Sequence, residues 1–254
     1  MRTGNYYDSE RAASEYLLLH YGEPSPSPWP LTFPARCVAE CVDAKRLPDA
    51  ARALDLGCAV GGASFELARH CGEVIGIDAS RQFIEIAQRL RERGEYGFQC
   101  CVEGELRRSH RVFVSPGMDR RRVTFETGDA MRLRGDLGTF DVVMMANLID
   151  RVPDPRAMLG QLAALVNRGG QLIITSPYTW LREYTPRAKW LGGFERGGKP
   201  VRTFDVLKSI LSPDFRLVKG RNIPFLIREH ARKFQLGIAE ASVWVRRSDV
   251  IDKR

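Results

Sequence analysis

Three acids stand at comparable places in the chain. Asp55 lies within the apolar run ALDLG, Asp78 ends the run VIGID, and Asp129 follows VTFETG. The first opens a glycine-rich turn, Asp55-x-Gly57-x-x-x-Gly61, with Cys58 and Ala59 inside it. Glycines at such a turn let the backbone approach a ligand where a Cβ would collide with it. A carboxylate at the end of the next strand can accept hydrogen bonds from a ribose diol, and a third acid beyond it can meet an adenine amino group. The chemistry implied is nucleotide binding, with Ala79, Ala130 and Leu148 beside the polar groups. The turn alone fits two nucleotides. Gly57, Ala59 and Gly62 match a dinucleotide fingerprint, G-x-A-x-x-G, while Asp55, Gly57 and Gly61 match the D-x-G-x-x-x-G turn of a nucleoside methyl donor. Ala59 is tolerated there if its φ is negative.

The elements that must position these acids alternate. ARALDLG, EVIGID, RVTFETGDA, FDVVMMAN and QLIITSP read as strands. Helices are expected over 9–20 with Ser9 as N-cap, over 35–46 and 62–70, from Ser80 to Gly94, and from Asp154 and Pro155 to Asn167. Near-continuous apolar strands alternating with helices predict a doubly wound, mostly parallel α/β sheet covered on both faces. In that architecture ligands sit at the carboxyl ends of the strands, where all three acids fall. A short helix, TFDVLKSIL, and two last strands at about 215–227 and 239–246 complete the chain. The expectation is one domain over 1–254, with an N-terminal helical cap (1–46), a proline-rich connector from Pro24 to Pro34, an insertion before the third strand (95–121) and an active-site loop (177–200).

Composition narrows the classes. The chain has 254 residues, 44% hydrophobic and 28% charged, and no apolar run approaches a membrane span. No signal peptide is read at the N-terminus, and a cytoplasmic location is expected. The six cysteines form no C-x-x-C pair, so reduced thiols and no metal are expected. Cys58 is read as packing under a ligand. The net charge is +8, and residues 105–122 hold six arginines against two acids. Basic patches interleaved with aromatics are absent, which favours a solvated or substrate-facing role over nucleic acid.

With Asp129–Ala130, FDVVMMANLIDRVPDP (140–155) and NRGGQLIITSP (167–177) added to the turn, the chain resembles the class I S-adenosylmethionine-dependent methyltransferases. That resemblance implies a Rossmann-like seven-stranded sheet with a C-terminal antiparallel strand and N-terminal helices. It also implies S-adenosylmethionine as cofactor, held by Tyr7, Asp55, Gly57, Cys58, Ala59, Gly61, Asp78, Ala79, Asp129, Ala130, Asn147 and Leu148. Ala59 replaces a usual glycine and keeps a nicotinamide dehydrogenase as the alternative. NYYDSERAASEYLLLHYG (5–22), ANLIDRVPDP (146–155), SPYTWLREYTPRAKWLGG (176–193) and REHARKFQLGIAEASVW (228–244) further resemble the 4-mercaptohistidine (5-thiohistidine) N1-methyltransferases of ovothiol biosynthesis. Those commonly form the C-terminal domain of a larger iron-dependent sulfoxide synthase, which is the partner this resemblance implies.

The reaction so implied is methyl transfer to an imidazole nitrogen of a small-molecule acceptor. It needs alignment and exclusion of water more than a strong base. Asn147 and Asp150, after the fourth strand, are candidates to hold the ring, and Tyr178 and His230 are further catalytic candidates. Tyr7, Asn147, Tyr178, Arg228 and His230 form the expected substrate set, with Arg228 favoured for a substrate carboxylate. Trp180 and Trp190 are expected to pack as a lid. An RNA-directed methyltransferase and a non-catalytic cofactor-binding module are the competing classes.

Overall fold

The computed structural model describes residues 6–22 and 32–248. The first five residues of the expected cap and most of the Pro24–Pro34 connector lie outside the described residues.

The elements follow in chain order. Helices α1 (Glu10–Tyr21) and α2 (Phe33–Cys41) precede strand β1 (Arg52–Leu56). Helix α3 (Gly62–Leu67), strand β2 (Glu73–Asp78) and helix α4 (Arg81–Arg93) come next. A hairpin of β3 (Glu95–Glu103) and β4 (Leu106–Phe113) leads to β5 (Val123–Thr127). Strand β6 (Phe140–Ala146), helix α5 (Pro155–Leu165) and strand β7 (Val166–Ser176) follow. The small hairpin β8 (Phe194–Arg196) and β9 (Lys199–Val201), helix α6 (Thr203–Leu211), and the long strands β10 (Phe215–His230) and β11 (Lys233–Arg246) complete it.

Seven strands form one sheet in the order β10-β11-β7-β6-β1-β2-β5. The pairs from β5 to β7 are parallel, and β11 runs antiparallel to β7. This is the expected Rossmann-like sheet with its antiparallel C-terminal strand. Because side chains alternate faces along a strand, β1 sends Ala53 to one core and Leu54 and Leu56 to the other. The first core takes residues of α1 to α4, including Leu17, Val38, Phe65 and Phe83. The second takes Met158, Leu159 and Leu162 of α5 and Leu207 and Leu211 of α6, and Trp180 packs there stacked on Trp190.

The expected caps are real: Ser9, Ser80 and Asp154 each accept a backbone N–H of the first turn. Several features differ from expectation, among them α2, which ends at Cys41 rather than 46, and α3, which ends at Leu67 rather than 70. Helix α5 stops at Leu165 because β7 already begins at Val166 and pairs Phe140 with Val166. The insertion is an ordered two-stranded sheet, burying Cys100 and Val112 while Leu106 and Phe113 stay exposed. The two last strands extend to a tight turn at 231–232, so 228–236 is ladder, not loop.

The sheet reverses direction of growth at β1. The chain moves outward from β1 to β2 and β5, then returns to place β6 on the other side. A crevice at the strands' carboxyl ends is required at that switch point.

Candidate active site

A cavity of about 300 Å³ opens there. Its wall on the β1–β2–β5 side carries Asp55, Asp78 and Asp129. The glycine turn is anchored by its own backbone, since Gly57 and Cys58 both donate to the Ile77 carbonyl at 2.8 and 3.1 Å. Gly57 has φ +72°, and a Cβ there would stand 2.9 Å from Leu148 Cδ1. Gly61 has φ +86° and is the N-cap of α3; a Cβ on it would meet the Phe125 ring at 2.5 Å. Ala59 does not meet the condition of a negative φ. Its φ is +47°, a region costing an alanine roughly 1–2 kcal/mol. Its N–H donates to Asp78 Oδ2 at 3.0 Å, and that bond orients the turn. Asp78 Oδ1 accepts from Ser80 N–H at 2.8 Å.

Asp55 is fully buried. Oδ2 accepts from the Ser64 hydroxyl at 2.6 Å, and Oδ1 has no hydrogen-bond partner. Burial pushes its carboxyl up to about 7, with the nearby Asp78 adding to the rise and the Ser64 hydroxyl opposing it. Burial also raises Asp78. An orphan carboxylate oxygen beside a second acid fits a ligand that brings positive charge.

The opposite wall comes from distant parts of the chain. Tyr7, Tyr16 and His20 reach in from the N-terminal segment, Phe83 from α4, Tyr184 from the loop after β7, and Phe225 and Ile227 from β10. Tyr7 is the hub, with ring centroids 6.0 Å from Tyr16, 6.2 Å from Phe83 and 5.7 Å from Tyr184. Its carbonyl accepts from the Ser80 hydroxyl at 2.9 Å. His20 Nδ1 accepts from Gly62 N–H at 3.0 Å, and Tyr21 donates to the Val60 carbonyl at 2.6 Å, so α1 clamps the glycine turn. Burial lowers the His20 imidazole to about 3. The ring is neutral, with its proton on Nε2.

The structure brings together most of the nucleotide set expected from sequence. Tyr7, Asp55, Gly57, Cys58, Ala59, Asp78, Ala79, Asp129, Ala130, Asn147 and Leu148 line the cavity, whereas Gly61 packs against Phe125 and Phe65 and is not among the lining residues. Asn147 has φ +55°, a conformation asparagine accepts more readily than most residues. Its Oδ1 accepts from the Thr175 hydroxyl at 3.0 Å, which leaves the amide N–H groups for a ligand.

The other acceptor-side candidates are not at the cavity. Asp150 is wholly buried, accepting from the Ser176 hydroxyl at 3.2 Å and from Arg151 Nη1 at 2.8 Å. Tyr178 faces a separate groove shared with Phe194 and Glu240. Arg228 follows Ile227 on β10, so strand alternation turns it to the face away from the cavity. His230 sits at the β10–β11 turn, where its Nδ1 accepts from Arg232 N–H. Sequence reasoning missed Arg151, His20, Tyr16 and Phe83. The signal available for Arg151 was its place beside Asp150 in ANLIDRVPDP. Among the described residues no group of three or more His, Cys, Asp or Glu is placed to hold a metal ion.

Residues 54–172, just under half of the chain, match the methyltransferase domain family. Ubiquinone biosynthesis O-methyltransferase of Coxiella burnetii is 27% identical over 123 residues, 48% of this chain and 42% of that protein. Norajmaline N-methyltransferase of Rauvolfia serpentina is 26% identical over 124 residues, 48% of this chain and 35% of that protein. The matched stretch is thus less than half the length of either curated relative. Among solved structures, magnesium protoporphyrin IX methyltransferase of Synechocystis PCC 6803 with bound SAM superposes with a TM-score of 0.51 at 17% identity, covering 96% of this chain and 100% of that one. The N-methyltransferase NodS of Bradyrhizobium japonicum gives 0.50 at 15% identity, with 97% and 90% coverage. The [4+2]-cyclase SpnF gives 0.55 at 15% identity, with 94% and 97% coverage. These likenesses establish the fold; a cyclase among them shows that fold does not dictate the reaction.

Proposed function

We propose that this chain, whose residues 54–172 make an S-adenosylmethionine-dependent methyltransferase domain, transfers a methyl group to an imidazole nitrogen of 5-thiohistidine in ovothiol biosynthesis. S-Adenosylmethionine is the methyl donor of such a domain; when bound it supplies a methyl group already activated on a sulfonium. The observation that carries the donor side of the reading is the convergence of Asp55, Asp78 and Asp129 on one cavity at the strand switch point. The orphan Oδ1 of Asp55 would take the donor's ammonium, Asp78 its ribose, and Asp129–Ala130 its adenine edge. Gly57, without a Cβ, lets the backbone close on it.

On the acceptor side the protein's work is alignment and exclusion of water. Tyr7 and the rings around it roof the cavity. Asn147 offers its free amide N–H groups toward the ring or its thiolate. Asp150 is withdrawn from contact and acts through Arg151. Three of the four segments that resemble the thiohistidine methyltransferases contribute lining residues: Tyr7 and Tyr16, Asn147 and Arg151, Pro177 and Tyr184. A roofed cavity of this size supports a small acceptor over a folded RNA. A sulfoxide synthase, as fused domain or separate protein, would supply the thiolated ring. A cytoplasmic setting agrees with six free cysteines, and no helix among the described residues is long and apolar enough to cross a membrane.

The test is to incubate the protein with methyl-labelled S-adenosylmethionine and, separately, 5-thiohistidine, histidine or tRNA, and to locate the label. Label on a ring nitrogen of 5-thiohistidine is expected. Label on tRNA alone, or on no acceptor despite cofactor binding, would overturn the reading.

A further inference from the structure

Arg151 is the one cation lining the cavity among the described residues; the other charged groups there are Asp55, Asp78 and Asp129. It sits on the β6 side of the switch point, away from the acids of β1, β2 and β5 in sheet order. Its guanidinium is held before any ligand arrives. Nε donates to the Tyr7 hydroxyl at 3.0 Å. Nη1 donates to the Asp150 carbonyl, to Asp150 Oδ2 and to the Thr179 carbonyl at 2.9, 2.8 and 2.8 Å. The Tyr184 ring lies 5.1 Å from its central carbon. Nη2 has no hydrogen-bond partner among the described residues, and the side chain keeps 22% exposure. Asp150 therefore engages a single nitrogen and leaves one end of the fork open.

Resting on the methyltransferase reading above, we propose that Arg151 anchors the carboxylate of the acceptor amino acid and so selects acceptors that carry one. A carboxylate taken out of water needs a charged donor, and the N–H groups of Nη2 supply one. The three acids repel it from the rest of the polar wall. The donor's own carboxylate is a less fitting occupant. It shares one carbon with the ammonium assigned to Asp55, which keeps it near the β1 turn. Arg228, favoured from sequence, points away from the cavity, and Lys233 is committed to Glu229 at 2.8 Å.

The experiment compares 5-thiohistidine with its decarboxylated analogue, 5-thiohistamine, as methyl acceptors. It uses the intact chain and the variants Arg151→Lys and Arg151→Met. S-Adenosylhomocysteine affinity is measured by calorimetry in parallel. The intact chain is expected to show a KM for thiohistamine about 10- to 100-fold above that for thiohistidine, as for loss of a charge-assisted pair. Arg151→Met should raise the thiohistidine KM by a similar factor and abolish the discrimination. Arg151→Lys should recover part of it. S-Adenosylhomocysteine affinity should stay within about threefold. Since Arg151→Met leaves the Asp150 carboxylate unpaired, its unfolding is checked; if it does not fold, the analogue pair and Arg151→Lys still decide. Equal use of the two acceptors by the intact chain overturns the proposal while the acceptor reading stands. So does a fall in S-adenosylhomocysteine affinity matching the KM rise, which would assign Arg151 to the donor. An intact chain that methylates neither acceptor overturns the reading itself, and this inference with it.

Discussion

On the β1–β2–β5 side of the cavity, each acid stands within two residues of the end of its own strand, and its partners lie at most nineteen positions away. Asp78 is held by Ala59 and Ser80, and Asp55 by Ser64. On the β6–β7–β10 side, Arg151 joins Tyr7, 144 positions away, and Thr179, 28 positions away. The first half is a set of turns whose geometry comes from strand ends and glycines. The second is a meeting of side chains from separate elements, closed only when the N-terminal segment lies over α4. The first therefore resembles other folds of its class and fits a common cofactor, while the second is where an acceptor can be specified.

Substitutions should separate the halves, and the largest effect is expected at the turn. Gly61→Val forces a β-branched residue to φ +86° with its Cβ 2.5 Å from the Phe125 ring. Denaturant unfolding should show a loss of about 3 kcal/mol or more, with no measurable S-adenosylhomocysteine binding. A folded variant that still binds would mean the donor half is not a rigid cradle.

Asp78→Ala comes next. Removing the acceptor of the Ala59 and Ser80 N–H groups should weaken S-adenosylhomocysteine binding about 10- to 100-fold by calorimetry. An unchanged dissociation constant would show that the acid has been given the wrong role.

Tyr7→Phe tests the other half. It removes the acceptor of Arg151 Nε and keeps the ring. The acceptor KM should rise about 3- to 10-fold, with cofactor affinity changed less than about twofold. A larger effect on the cofactor than on the acceptor would merge the two halves.

The last test is a pH dependence. The Asp55 carboxyl is raised from 3.8 to about 7 in the native state, chiefly by burial. The native protein then holds this proton more tightly than the unfolded chain. The associated stability is complete below about 3.8 and is lost as pH rises through about 7. Against Asp55→Asn, the native chain should lose stability across that window in urea titrations. A cation bound at Asp55 favours the ionised form. Calorimetry at about pH 6.5, in buffers of different ionisation enthalpy, should therefore show proton release on cofactor binding, which Asp55→Asn removes. Proton uptake would put the cation elsewhere.

The pattern of apolar runs, Asp55, Asp78 and Asp129 at their ends, and Ser9, Ser80 and Asp154 as caps could be read directly from the chain. Each depends on neighbours a few residues away or on strand periodicity, and these survive without knowledge of the third dimension. Ala59 shows the limit even there: its φ is positive, and its N–H is held by Asp78, nineteen positions on.

The acceptor side was another matter. Asp150 and Arg151 are adjacent, and sequence alone favoured the acid as the group meeting the ligand. The fold buries Asp150 against Ser176 and turns Arg151 into the cavity. Arg228 and Ile227 are likewise adjacent, and one residue of register on β10 decides which of them faces the cavity. Local backbone preference and periodicity encode the sheet, the strand-end acids and the place of the turn, so these were legible in the chain alone. Which side chains meet across the cavity was decided only by tertiary structure, since that depends on register, helix phase and the path of an N-terminal segment that no local pattern specifies.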